Sequence, residues 1–124
     1  MKISKIELDN FRQYYGNVDF EFDTDSKKNI AVIVGVNGAG KSNLYNAITW
    51  CLYGIEEHSK DKQGGLSRLN EHRRHELKKN EYGAVHVRIT FEGKHPLRVE
   101  RTQKFVKTAD GFVRGASEEH KVLK

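Results

Sequence analysis

Gly35-Val36-Asn37-Gly38-Ala39-Gly40-Lys41-Ser42 is the stretch on which the reading of this chain turns. It fits Gly-x-x-x-x-Gly-Lys-Ser/Thr. Just before it, Ile30-Ala31-Val32-Ile33-Val34 is apolar throughout, the pattern of a strand buried on both faces in a sheet covered by helices. Just after it, Leu44, Ala47, Ile48, Cys51, Leu52 and Ile55 recur at the spacing of one helical stripe, and Gly54 is placed to end that helix. A glycine loop between a buried strand and an amphipathic helix is the context that gives the motif meaning, as against a mere Gly-rich turn.

Each position has a physical task. Gly35, Gly38 and Gly40 allow backbone angles that side chains forbid, so successive N–H groups can turn inward around an anion. A helix beginning near Lys41 adds unpaired N–H groups and the positive end of its dipole. Lys41 supplies a full charge for the β- and γ-phosphates, and the Ser42 hydroxyl is a hard oxygen ligand for magnesium. The pattern therefore predicts binding of a nucleotide triphosphate, ATP with Mg.

Working outward, Ile6 and Leu8 alternate with Glu7 and Asp9, and Val18, Phe20 and Phe22 alternate with acidic residues. Both read as strands with one wet face, joined by a turn at Gly16-Asn17. Residues 56–67 are polar, contain Gly64-Gly65 and read as a mobile loop. Residues 68–79 suit a short basic helix. Beyond Ala84 the period returns to two through Val85, Val87, Ile89 and Phe91. Turns at 93–96 and at Asp110-Gly111 divide an antiparallel meander. Cys51 lies on the helical stripe and reads as core. Trp50, Tyr45 and Tyr53 fall off that stripe, where packing against the meander is preferred to base stacking. The histidines show no metal-ligand spacing.

Arg68, His72, Arg73, Arg74, His75, Lys78 and Lys79 crowd into twelve residues. A solvated helix face balanced by Glu71 and Glu76 is the first reading. A DNA-facing surface using Arg68, Arg73, Arg74, Lys78 and Lys79 is the second. The bulk numbers agree with either. The 124 residues carry a net charge of +5, 36% hydrophobic and 31% charged residues. That suits one soluble domain with a modest core and favours polyanionic partners without identifying one. One cysteine excludes an internal disulfide and suits a reducing cytoplasm. Neither a leader-like apolar stretch at Met1–Lys5 nor a membrane-spanning run is present, so a cytoplasmic location with no membrane partner is expected.

The strand ending in Asn10-Phe11-Arg12, the acidic second strand, and Asn37-Gly38-Ala39-Gly40-Lys41-Ser42-Asn43 together resemble the N-terminal segment of SMC-type ABC ATPases, the superfamily of double-strand-break repair and recombination ATPases. Two further stretches, 11–16 and 46–54, look most like the DNA sulfur-modification and phage-defence ATPases. The resemblance implies that Arg12 reaches the nucleotide phosphates, where the residue alone would read as an exposed arginine at a strand end. It implies that Asn37 lies on the γ-phosphate side, that Gly38, Ala39, Gly40, Lys41, Ser42 and Asn43 line the nucleotide, and that the loop after the first helix approaches the base.

In that superfamily, hydrolysis uses an Asp-Glu strand and a Leu-Ser-Gly-Gly signature beyond a long coiled coil, and this chain has neither. Leu52 to Glu57 imitates the first on the wrong element, and Gly64-Gly65-Leu66-Ser67 reverses the second. The resemblance thus implies the front half of a split head, with no catalytic residue of its own, little or no turnover alone, and the coiled coil and C-terminal half missing. Its partners would be that C-terminal half, a second ATPase head, DNA, and a nuclease or other DNA-processing subunit. The expected fold is α/β: a P-loop NTPase head lobe, with strands, P-loop and first helix in 1–55, a loop and basic segment in 56–83, and antiparallel β in 84–124. A self-contained nucleotide-kinase-like phosphotransferase and a non-catalytic nucleotide-binding module remain as alternatives. The first lacks lid arginines and a second acidic strand here.

Overall fold

Alternation of apolar and polar residues produces a sheet with one dry face. In the computed structural model, which describes residues 2–22, 41–56 and 68–124, five antiparallel strands pair in the order β2-β1-β3-β4-β5. They are β1 (Lys2–Asp9), β2 (Asn17–Glu21), β3 (Tyr82–Glu92), β4 (Leu97–Lys107) and β5 (Val113–Leu123). Two helices, α1 (Lys41–Tyr53) and α2 (Glu71–Glu76), complete the described elements. Strand 30–34, the loop residues 35–40 and the polar stretch 57–67 lie outside the described residues.

The dry face carries Ile6, Leu8, Val85, Val87, Ile89, Val99 and Phe105, all buried, and α1 packs on it across β3 and β4. This is the one-face burial that the period-2 pattern requires. The opposite face carries a row in register across all five strands: Asp19, Glu7, Arg88, Glu100 and Lys121. Arg88 lies 3.4 Å from Glu7 and 2.6 Å from Glu100, and Lys5 lies 3.5 Å from Glu7. Such half-exposed pairs add about 1 kcal/mol or less apiece, but they fix the register.

Two expectations are corrected. The buried side of α1 is rotated from the expected stripe toward Trp50. Leu44, Ala47 and Cys51 are buried as expected, but so are Trp50, Asn46 and Thr49, while Ile48 and Leu52 are half-buried and Ile55 is exposed. The cause is the sheet below: Trp50 stacks toward Phe11, with ring centroids 6.0 Å apart, and takes the centre of the interface. Tyr45 and Tyr53 are exposed, so of the three off-stripe aromatics only Trp50 packs into the core. The last strand, β5, continues to Leu123 although nearly all of it is exposed. Its pairing with β4 holds it extended, from Lys107↔Val113 to Arg98↔Leu123.

Cys51 sits in the core as expected, with its thiol 3.4 Å from the Val87 carbonyl oxygen. Burial pushes its pKa up to about 12, so the reactive thiolate is scarce at neutral pH. The native chain should therefore resist alkylation by iodoacetamide at pH 8 and react fully once denatured in urea. Quantitative labelling of the folded chain would contradict its place in the core.

Candidate functional site

Among the described residues α1 opens with Lys41, in the Gly-Lys-Ser end of the motif. Lys41 and Ser42 are exposed on its first turn. No acidic side chain occupies that turn, so no carboxylate of its own neutralises the helix's positive end. A lysine ammonium and a serine hydroxyl are donors of the kind that phosphate and a hard divalent ion use. Among the described residues no group of three or more His, Cys, Asp or Glu could hold a metal. Asn37, Gly38, Ala39 and Gly40 lie outside the described residues.

The far end of α1 is closed by tertiary contacts. Gly54 adopts φ +77°, and its N–H still reaches the Trp50 carbonyl oxygen at 2.8 Å. The helix has no basic residue in its last turn. Arg101 on β4 supplies that charge, donating from Nε to the Cys51 carbonyl at 3.3 Å and from Nη1 to Glu118 at 2.8 Å. A side chain at Gly54 would meet the Arg101 guanidinium at 3.4 Å.

The strand end that carries Arg12 crosses beside this helix. Asn10 and Arg12 both have left-handed backbones, φ 53° and 50°. Asparagine tolerates that region, while for arginine it is uncommon and costs energy. Neighbouring backbone holds the conformation: Arg12 N–H donates to Arg68 O at 2.7 Å, and Asn70 Nδ2 donates to Arg12 O at 2.7 Å. Asn70 is buried and also caps α2 by accepting from Arg73 N–H at 3.0 Å. One residue on from Arg12, Gln13 accepts a hydrogen bond from Asn43 in the first turn of α1. Arg12 and the helix entrance are thereby tied through adjacent residues.

The Arg12 side chain turns to Glu56, just past α1. Its Nε and Nη2 donate to Oε1 at 2.9 and 2.7 Å. The other oxygen of Glu56 accepts from Arg68 Nε at 2.9 Å, and Arg68 Nη1 continues to Gln103 Oε1 at 2.7 Å. Arg68 also lies over the Trp50 ring, 5.1 Å from its centroid. Glu56 has only 3% of its side chain exposed, against 14% for Arg12 and 13% for Arg68. This buried cluster has no signature in the sequence. Both oxygens of Glu56 are engaged by guanidinium groups.

The basic segment divides accordingly. Arg68 belongs to the buried cluster and not with the exposed cations, a correction to its grouping. Arg73 and Arg74 stand on α2, Lys78 and Lys79 follow it, and both lysines are exposed. Arg74 pairs with Glu71, His75 lies 3.2 Å from Glu71, and Arg73 lies 3.8 Å from Glu76 and 3.7 Å from Glu81. Acidic neighbours thus offset part of the helix charge, as a solvated face would.

Comparison with known proteins fits this geometry. An AAA domain family matches residues 5–121. The chain is 40% identical over 52 residues to the chromosome partition protein Smc of Koribacter versatilis, covering 42% of this chain and 4% of that protein. It is 44% identical over 52 residues to the Smc of Chlorobaculum tepidum, again 42% of this chain and 4% of that protein. It is 33% identical over 102 residues to the DNA replication and repair protein RecF of Clostridium kluyveri, covering 80% of this chain and 27% of that protein. The chain spans only a small part of the length of these relatives.

Proposed function

This chain belongs to the AAA domain family, with SMC-like ATPases as its relatives, and we propose that it is the ATP- and magnesium-binding half of an SMC-type ATPase head. The observation that carries the reading is the Gly-Lys-Ser motif ending in a helix whose first turn leaves Lys41 and Ser42 exposed and holds no acid. In this reading Asn37, Gly38, Ala39 and Gly40 wrap the phosphates with their amides. Lys41 binds the β- and γ-phosphates, Ser42 holds magnesium, and Arg12 and Asn43 border the same anion. Arg12 has no need of a left-handed backbone as an ordinary surface arginine, and that strain supports a functional placement.

The complete protein would hydrolyse ATP only when this half meets a C-terminal half and a second head, clamping or releasing DNA as the heads engage. The subgroup proposed is that of the DNA sulfur-modification and phage-defence ATPases, working in the cytoplasm with a nuclease or similar subunit. Among the described residues no helix is long and apolar enough to cross a membrane. Adding the C-terminal half should restore DNA-stimulated ATP hydrolysis, while this chain alone binds ATP with little turnover. Phosphoryl transfer to a nucleotide acceptor by the chain alone would replace this reading with a kinase.

DNA contact through Arg73, Arg74, Lys78 and Lys79 is a separable part of the proposal. If all four meet phosphates, the logarithm of the binding constant should fall against log salt with a slope approaching about −4. A flat salt response of the reassembled head would dismiss the patch.

A further inference from the structure

We propose that the outer edge of β5 is a self-association surface, pairing antiparallel with β5 of a second copy of this chain about a two-fold axis at His120. In the described sheet β5 has one neighbour, β4, so its other rim of N–H and C=O groups has no ladder partner there. Such a rim is a template for another strand. Nearly all of β5 is exposed. Its pairing with β4 is regular from Gln103↔Glu118 to Arg98↔Leu123, and the register shifts between Gln103 and Phe105. A shift of that kind bends a strand and interrupts regular pairing. Residues 118–123 are therefore the regular part of the edge.

Charge selects both the partner and the register. A strand that meets its own copy antiparallel about a two-fold sets one residue opposite itself and that residue's two neighbours opposite each other. Within 118–123, centring on Glu118, Glu119 or Lys121 would set like charges directly opposite, which destabilises a sheet. Centring on Val122 or Leu123 sets no acid opposite a base. Centring on His120 sets Glu119 opposite Lys121 of the second copy, twice. Glu119 and Lys121 share a face, 3.6 Å apart, and both side chains are more than half exposed. Glu118 then faces Val122 of the copy, and its carboxylate is already met by Arg101 at 2.8 Å. Val122 and Leu123, 52% and 40% exposed, gain cover. The opposite edge, β2, has no such complementarity, since its charges, Asp19 and Glu21, are both acidic. So short an edge buries less area than a standard stable interface, so the dimer is weak and forms at high protein concentration.

The test is sedimentation equilibrium of the full chain at low salt without nucleotide, so that it stands apart from the nucleotide reading. The unaltered chain should dimerise with rising concentration. Glu119→Lys and Lys121→Glu should each weaken the dimer by about tenfold, because each turns two attractive cross-strand pairs into two repulsive ones. Mixing the two single variants should recover association as a heterodimer, and the double reversal in one chain should recover the homodimer. Both side chains lie at the surface, so circular dichroism of each variant should match that of the unaltered chain. A monomer at every concentration would overturn the proposal, whether solvent or another partner's strand meets this edge. So would a dimer indifferent to both reversals, or two single variants that fail to associate when mixed.

Discussion

Lys41→Ala is expected to abolish measurable ATP binding while leaving the fold intact. The side chain is exposed on the first turn of α1, so its removal opens no cavity. What is lost is a cation beside a polyphosphate. Hydrogen bonds to charged groups are worth about 1.5–3 kcal/mol each, or roughly 10- to 150-fold in affinity. A lysine shared between two phosphates should lie at the upper end of that range. Calorimetric titration of the variant beside the unaltered chain measures the loss. Unchanged affinity would mean that the anion, if any, binds elsewhere.

The second large effect is on stability and centres on Trp50. It is fully buried, meets Phe11, and has the guanidinium groups of Arg68 and Arg101 over its ring at 5.1 and 6.0 Å. Trp50→Ala should destabilise the chain by about 3–5 kcal/mol, the usual cost of deleting a large buried ring. A domain holds only about 5–15 kcal/mol in total, so much of the population would unfold under mild urea. Trp50→Phe should cost far less. It keeps a ring under the arginines and removes an indole N–H that has no hydrogen-bond partner among the described residues. Urea denaturation followed by circular dichroism compares the two. Equal midpoints for alanine and phenylalanine would show that the ring is not the keystone of this interface.

Some of this was legible from residue order and some was not, for physical reasons. The end of α1 at Gly54 is a local matter of dihedral and capping, and it stands. The inward face of β3 follows from the strict alternation of Val85, Val87 and Ile89. The orientation of α1 was not legible. Apolar residues cover more than half of its circumference, so the stripe through Ile48, Leu52 and Ile55 and the one through Trp50 compete, and only the sheet decides. Strand β5 has no apolar alternation from Arg114 to Lys121, and its extension comes from its pairing with β4. The Arg12–Glu56–Arg68 cluster joins residues 44 and 12 positions apart, an encounter that no window of sequence contains. The left-handed backbone of Arg12 depends on the same encounter, since residues 68 and 70 hold it.

Crystals grown with a non-hydrolysable ATP analogue and magnesium test the central claim most directly. The triphosphate should lie against the first turn of α1, with Lys41 Nζ at its phosphates and Ser42 Oγ on the metal. A nucleotide bound away from that turn, or none at saturating concentration, would contradict it.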